Sequence, residues 1–104
     1  MSALKITREN FQSEVMESSK PVLLDFWATW CGHCKGVGVA IEELAVEQSE
    51  VKIGKINIDE QGELAKQFRV MSIPTLILIK NGSVVNQSVG AKSKVQIQSM
   101  IRSI

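Results

Sequence analysis

The chain has 104 residues, 44% of them hydrophobic, and a formal net charge of +1. That length holds one core and no second domain, so a single domain over residues 1–104 is expected. The near-neutral balance argues against nucleic-acid or membrane-surface partners, no apolar run approaches the roughly 20 residues of a membrane span, and the charged stretch from Met1 to Lys20 lacks a signal-peptide pattern.

The elements alternate along the chain with no linker, repeat or low-complexity segment. Ala3 to Ile6 reads as a short edge strand, and Thr7 as the N-cap of a helix with Phe11 and Val15 on one face. Val22 to Ala28 is a buried strand, followed by a long helix from Cys31 to Gln48 whose apolar face runs through Val37, Ile41, Leu44 and Ala45. Val51 to Ile58 is a third strand, and Gln61 to Phe68 a short helix with Leu64 and Phe68 inward. Thr75 to Ile79 is an apolar strand, and Asn81-Gly82 signals a hairpin turn into Ser83 to Val89. Lys92 to Ile104 closes the chain as a helix with Ile97, Met100, Ile101 and Ile104 in phase. This order predicts an α/β fold, a mixed sheet with helices on both faces that is parallel in part and ends in an antiparallel hairpin.

The two cysteines of the chain lie three apart, in Trp30-Cys31-Gly32-His33-Cys34-Lys35, at the junction of a strand and a helix. On a first helical turn, residues i and i+3 have Cβ atoms about 5–6 Å apart. A small adjustment closes that to the roughly 3.5–4.5 Å of a disulfide, so the pair can open and close with little backbone movement. The helix end supplies unpaired N–H groups and partial positive charge, which favour a thiolate at Cys31. Cys34, one turn deeper, is the candidate resolving thiol. As a staple, the pair closes a loop of four residues and contributes roughly 2 kcal/mol, little for a domain with its own core. As a metal site it lacks ligands, since His33 alone is at hand where four are usual. Redox chemistry in a reducing cytoplasmic compartment fits best, with no metal or organic cofactor beyond the Cys31–Cys34 disulfide.

Two other residues stand out physically. Asp25 interrupts an apolar strand, where an ionised carboxylate is costly, so a raised pKa and proton exchange near neutrality are expected; a core acid paired to a lysine is the alternative. Pro74 suits the first position of a strand, where no amide is needed.

From end to end the chain resembles the thioredoxin family. The likeness rests on Asp25-Phe26-Trp27-Ala28-Thr29-Trp30-Cys31-Gly32 and Cys34-Lys35, then Lys55-Ile56-Asn57-Ile58-Asp59, Ile73-Pro74-Thr75, Lys80-Asn81-Gly82 and Val89-Gly90-Ala91. It implies a thioredoxin fold, a five-stranded mixed sheet flanked by four helices. It also implies protein disulfide reduction, with thioredoxin reductase as electron donor and disulfide-containing proteins as clients. A monomer is the default expectation, because no exposed apolar stripe stands out beyond the docking surface. Carried onto this sequence, Cys31 is the nucleophile, Cys34 the resolver, Asp25 the buried acid that deprotonates Cys34, and Lys55 its neighbour. The Ile73–Pro74 bond is expected cis and packed against the cysteines, with Trp30, Ile73, Pro74, Gly90 and Ala91 forming the rim that receives an extended substrate segment. Ordinary packing is the alternative for Trp30, and a strand lysine with its head in solvent the alternative for Lys55.

Three departures bear on specificity. The family usually carries Gly-Pro between the cysteines; the Gly32-His33 pair here resembles the active sites of protein disulfide isomerase domains, and Lys35 beyond Cys34 is a further tuning residue. An imidazole beside Cys31 favours the thiolate and makes the disulfide more oxidising, in a series whose ends differ by about 90 mV, roughly 4 kcal/mol. A helix N-terminus in turn disfavours imidazolium, which would leave His33 neutral with little influence. Val39 stands where the family usually has a helix-kinking proline, with Gly36 and Gly38 nearby, suggesting either a flexible first turn or a tight backbone contact. Met71-Ser72 alters the loop before Ile73-Pro74, unless Met71 only packs. Two other functions stay open on sequence grounds: a more oxidising disulfide oxidase or isomerase tuned by His33, and a non-catalytic binding module using the Trp30–Pro74 surface.

Overall fold

The computed structural model describes residues 2–103. Strand β1 (Leu4–Lys5) leads into α1 (Arg8–Phe11), which continues as a π-helical turn over Gln12–Met16. Then come β2 (Val22–Trp27), α2 (Gly32–Glu47), β3 (Lys52–Asn57), α3 (Gly62–Gln67), β4 (Thr75–Lys80), β5 (Ser83–Val89) and α4 (Lys94–Arg102). The strands form one sheet in the order β1-β3-β2-β4-β5, parallel from β1 through β3 to β2 and antiparallel from β2 through β4 to β5. The five strands and four helices are those the family resemblance implies.

Alternation of side chains along the strands divides the core in two. Leu23, Ile53, Leu76 and Leu78 point to one face, where α2 contributes Val37, Ile41 and Leu44 and α4 contributes Ile97, Met100 and Ile101. Val22, Leu24, Phe26, Ile56, Ile77 and Ile79 point to the other, beneath Phe11 and Val15 of the first helix and Leu64 of α3. Phe68 closes that layer, with its ring edge-on to Phe11 and Phe26 at centroid distances of 5.7 and 5.8 Å. The apolar faces expected for all four helices are the buried ones; Ile104 lies outside the described residues.

Local chemistry sets the ends. Thr7 is the N-cap of α1, and its amide donates to Asn10 Oδ1 at 2.7 Å. The helix then widens, with Glu17 N–H donating to Gln12 O, a bond one residue longer than an α-helical one, which the apolar spacing did not announce. α4 starts later than the expected Lys92 because Ser93 caps it: Ser93 Oγ accepts from Gln96 N–H at 3.2 Å and Gln96 Oε1 accepts from Ser93 N–H at 2.8 Å. Asn81 and Gly82 have φ of 53° and 77°, the left-handed pair a two-residue hairpin turn requires.

Gly54 fixes the packing of the N-terminal edge. It sits mid-strand in β3 between Leu4 and Leu24, and a Cβ there would lie 2.5 Å from Cγ1 of buried Ile6. Gly54→Ala is therefore expected to destabilise the fold by about 1–3 kcal/mol through overpacking, read as a lower urea midpoint; an unchanged midpoint would show that Ile6 repacks freely.

Candidate active site

Strand polarity gathers the site. β4 runs antiparallel to β2, so its beginning lies beside the end of β2, with Thr75 opposite Phe26. β5 runs antiparallel to β4, so its end returns to the same place, with Val89 opposite Thr75. The Trp30–Cys34 turn after β2, the Ile73-Pro74 turn before β4 and Gly90-Ala91 after β5 thus meet at one end of the sheet, where open α/β sheets hold their ligands.

Cys31 is the extended N-cap residue of α2 and Cys34 lies on its first turn; they are joined by a disulfide with Cα atoms 5.3 Å apart. Both are largely covered, 6% and 4% exposed, and cluster with Ala28, Trp27, Ile58 and Ile73. The Ile73–Pro74 bond is cis, and Gly90 N–H donates to Pro74 O at 2.9 Å, tying the third turn to the second. Thr75, itself buried, closes the cis turn by donating its hydroxyl to Ser72 O at 2.5 Å. Ala91 is exposed, and Trp30 is 67% exposed with its indole N–H donating to Asp59 Oδ2 at 2.8 Å. An exposed indole held by a carboxylate is not a core residue, so packing does not explain Trp30. Met71 is 93% exposed, which equally removes the packing explanation for it. Gly32, His33 and Lys35 all face solvent on the first turn of α2.

Asp25 lies on the α2 side of the sheet between Leu23 and Trp27, opposite Lys55 on β3 and Leu76 on β4. It is 0% exposed, and neither carboxylate oxygen has a hydrogen-bond partner. Burial pushes its pKa up from 3.8 to about 7, against the pull of Lys55 and with a push from Glu42. The alternative of a lysine-paired core acid fails, because the Lys55 ammonium pairs with Glu42 Oε2 at 3.7 Å and lies 4.7 Å from the Trp27 ring centroid. An open groove of about 420 Å³ runs from Cys31 and Cys34 past Gly38 to Glu42 and Lys55. Neither helix glycine is held by a tight contact: a Cβ at Gly36 would meet nothing within 4 Å, and one at Gly38 would sit 3.8 Å from Lys55 Nζ.

The expected site residues therefore converge. Glu42, Asp59 and Thr75 were not expected. Cys34, Gly38 and Glu42 are four apart and fall on one line along α2, a spacing that places Glu42 on the cysteine face without singling it out.

A four-residue disulfide that staples so little, at the helix end that stabilises a thiolate, has exchange as its chemistry. The molecule is a thiol–disulfide oxidoreductase working through Cys31 and Cys34. The family model described as Thioredoxin matches residues 2–103. The thioredoxin of Mycobacterium tuberculosis is 48% identical over 89% of this chain and 81% of its own length. That of Haemophilus influenzae is 50% identical over 94% of this chain and 92% of its own. A bifunctional thioredoxin reductase/thioredoxin of Mycobacterium leprae is 47% identical over 88% of this chain, which spans 20% of that protein. The chain belongs to the thioredoxin family.

The raised pKa of Asp25 has a signed consequence for stability. Between about pH 4 and about pH 7 the folded state holds a proton that the unfolded chain does not, so this stabilisation is full below the unfolded value and is lost as pH rises through about 7. The loss is at most roughly 4 kcal/mol. Asp25→Ala should escape it: in urea unfolding of the disulfide form, the variant gains on the native protein by a few kcal/mol between about pH 4 and about pH 8.5. A pH-independent difference would mean that Asp25 finds a partner in solution.

Proposed function

We propose that the protein is a reductant of protein disulfides, a single domain over residues 1–104 that acts as a monomer in the cytoplasm. The observation that carries this is the Cys31–Cys34 disulfide at the N-terminus of α2, backed by a buried acid without a partner. In the reduced enzyme the Cys31 thiolate attacks one sulfur of a client disulfide, forming a mixed disulfide and releasing the first client thiolate. Asp25, as carboxylate, takes the Cys34 proton. The Cys34 thiolate then attacks Cys31 Sγ, the second client thiolate leaves, and the Cys31–Cys34 disulfide forms; two electrons have passed to the client. Trp30, Ile73, Pro74, Gly90 and Ala91 receive the client as an extended segment, and Lys55 moderates Asp25.

No metal or organic cofactor enters this cycle. A thioredoxin reductase returns the two electrons, a pairing supported by the relative that is named for both activities. No helix among the described residues is long and apolar enough to cross a membrane. Neither a His33-tuned oxidase or isomerase nor a non-catalytic binding module is favoured, given relatives named thioredoxin over most of the chain. His33, Gly32 and Lys35 then adjust the potential without reversing the direction of flow.

Equilibration with defined thiol buffers, followed by the fluorescence of Trp27 and Trp30, should give a potential near about −270 mV. A value near about −180 mV would make the protein an oxidase or isomerase, and no two-electron transition would leave only the binding module. Cys34→Ser should trap client proteins in mixed disulfides that dithiothreitol releases, and Cys31→Ser should trap none.

A further inference from the structure

Lys55 and Asp25 are register partners on adjacent strands, on the same face of the sheet and with opposite charge, yet they form no ion pair. The Lys55 ammonium is engaged elsewhere. Glu42 Oε2 lies 3.7 Å from it, and the Trp27 ring centroid lies 4.7 Å from it. Glu42 is in turn anchored, because its other oxygen, Oε1, accepts the backbone N–H of Ala3 at 2.9 Å. Ala3 packs against the core layer beneath α2, so the anchor belongs to the folded N-terminal edge. One carboxylate thus joins the segment before β1, helix α2 and strand β3, along the groove that Cys31 and Cys34 also line.

We propose that Glu42 is a positioning residue that, anchored by the Ala3 amide, holds the Lys55 ammonium out of an ion pair with Asp25 and leaves that carboxyl able to accept the Cys34 proton. This rests on the Asp25 role given above. An opposite charge brought within about 4–6 Å of a carboxylate lowers its pKa by about 1–3 units. Asp25 paired to Lys55 would be ionised well below neutrality and would be a weaker base; a base is most effective with its pKa near the working pH. The charged groups facing Asp25 are Lys55 from β3 and Glu42 from α2, with the cysteines at the start of α2; β4 presents Leu76. Glu42 therefore acts twice in the same direction, through its own charge and through the lysine it restrains.

The two contributions separate in a double-mutant cycle read by the carboxyl ¹³C titration of Asp25 in the disulfide form. Glu42→Gln is expected to lower the Asp25 midpoint by about one unit, and Glu42→Asp, which keeps the charge, by less. In a Lys55→Met background the Glu42→Gln shift should fall to less than half, because no cation is left to release. An unmoved midpoint, or an equal shift in both backgrounds, overturns the proposal. The functional readout is the release of thionitrobenzoate from a preformed mixed disulfide at Cys31, which reports the attack of Cys34. Its pH profile should move down with the midpoint in Glu42→Gln. If Asp25→Asn leaves that profile unchanged, the Asp25 reading fails instead, and the ¹³C cycle still decides whether Glu42 restrains Lys55.

Discussion

Enclosure of β2 is the constraint on which the remaining features depend. Val22 to Phe26 are buried without interruption, since β3 and β4 cover both edges and helices cover both faces. Each large apolar side chain so buried contributes about 1.5–3 kcal/mol, and four of the five positions contribute in this way. The fifth is Asp25, whose carboxylate oxygens have no hydrogen-bond partner among the described residues. It answers by holding its proton to about neutral pH. The same enclosure ends after Ala28, where Thr29 and Trp30 are exposed and the chain turns into α2, delivering two sulfurs to a helix N-terminus. Acid and thiols are thus consequences of one buried strand, met at its middle and at its end.

Most of the architecture was legible because it rests on periodicity. The continuous apolar runs of β2 and β4 and the i, i+3, i+4 pattern in α2 and α4 are local, and burial followed them. The cysteines and the Asn81-Gly82 turn were legible because few residue types suit those positions. Less was visible where a choice depends on a distant neighbour. An isolated glycine in β3 suggests a close approach, but only the fold names Ile6 as its cause. The Ser93 cap was readable from Gln96 three residues on, and reading it would have corrected the start of α4. The π-helical turn left no mark in the apolar spacing. Arg69, at φ 55° where a helix end usually places glycine, gave no sign either: its position follows from Val70 N–H reaching Ala65 O and Arg69 N–H reaching Lys66 O.

The site shows the same division. Cys31, Cys34, Asp25 and the cis-proline turn are residues whose chemistry is conspicuous in their setting. Glu42 is an acid on a helix with solvent on one side, which describes many surface glutamates. Its difference lies in partners 39 residues before it and 13 after it, Ala3 and Lys55, and a single sequence does not pair such positions. Asp59 holds the Trp30 indole across a comparable gap.

The charges around the dithiol fall into two zones. His33 and Lys35 stand in solvent on the first turn of α2, so their influence on the Cys31 thiolate passes through a high dielectric and is screened by salt. Asp25, Lys55 and Glu42 form the inner zone. There the Asp25 carboxyl is without solvent while the Lys55 and Glu42 side chains are 23% and 41% exposed, so their fields are partly screened. On the proposed reading, the outer zone bears on the stability of the thiolate and hence on the potential, and the inner zone on the proton that Cys34 gives up when it attacks. The two zones share no side chain, although Lys35 lines the same groove as Glu42 and Lys55. Replacing a proline by His33 between the cysteines alters the outer zone alone. On that reading, a change of redox poise at this position leaves the arrangement of Asp25, Lys55 and Glu42 as it is.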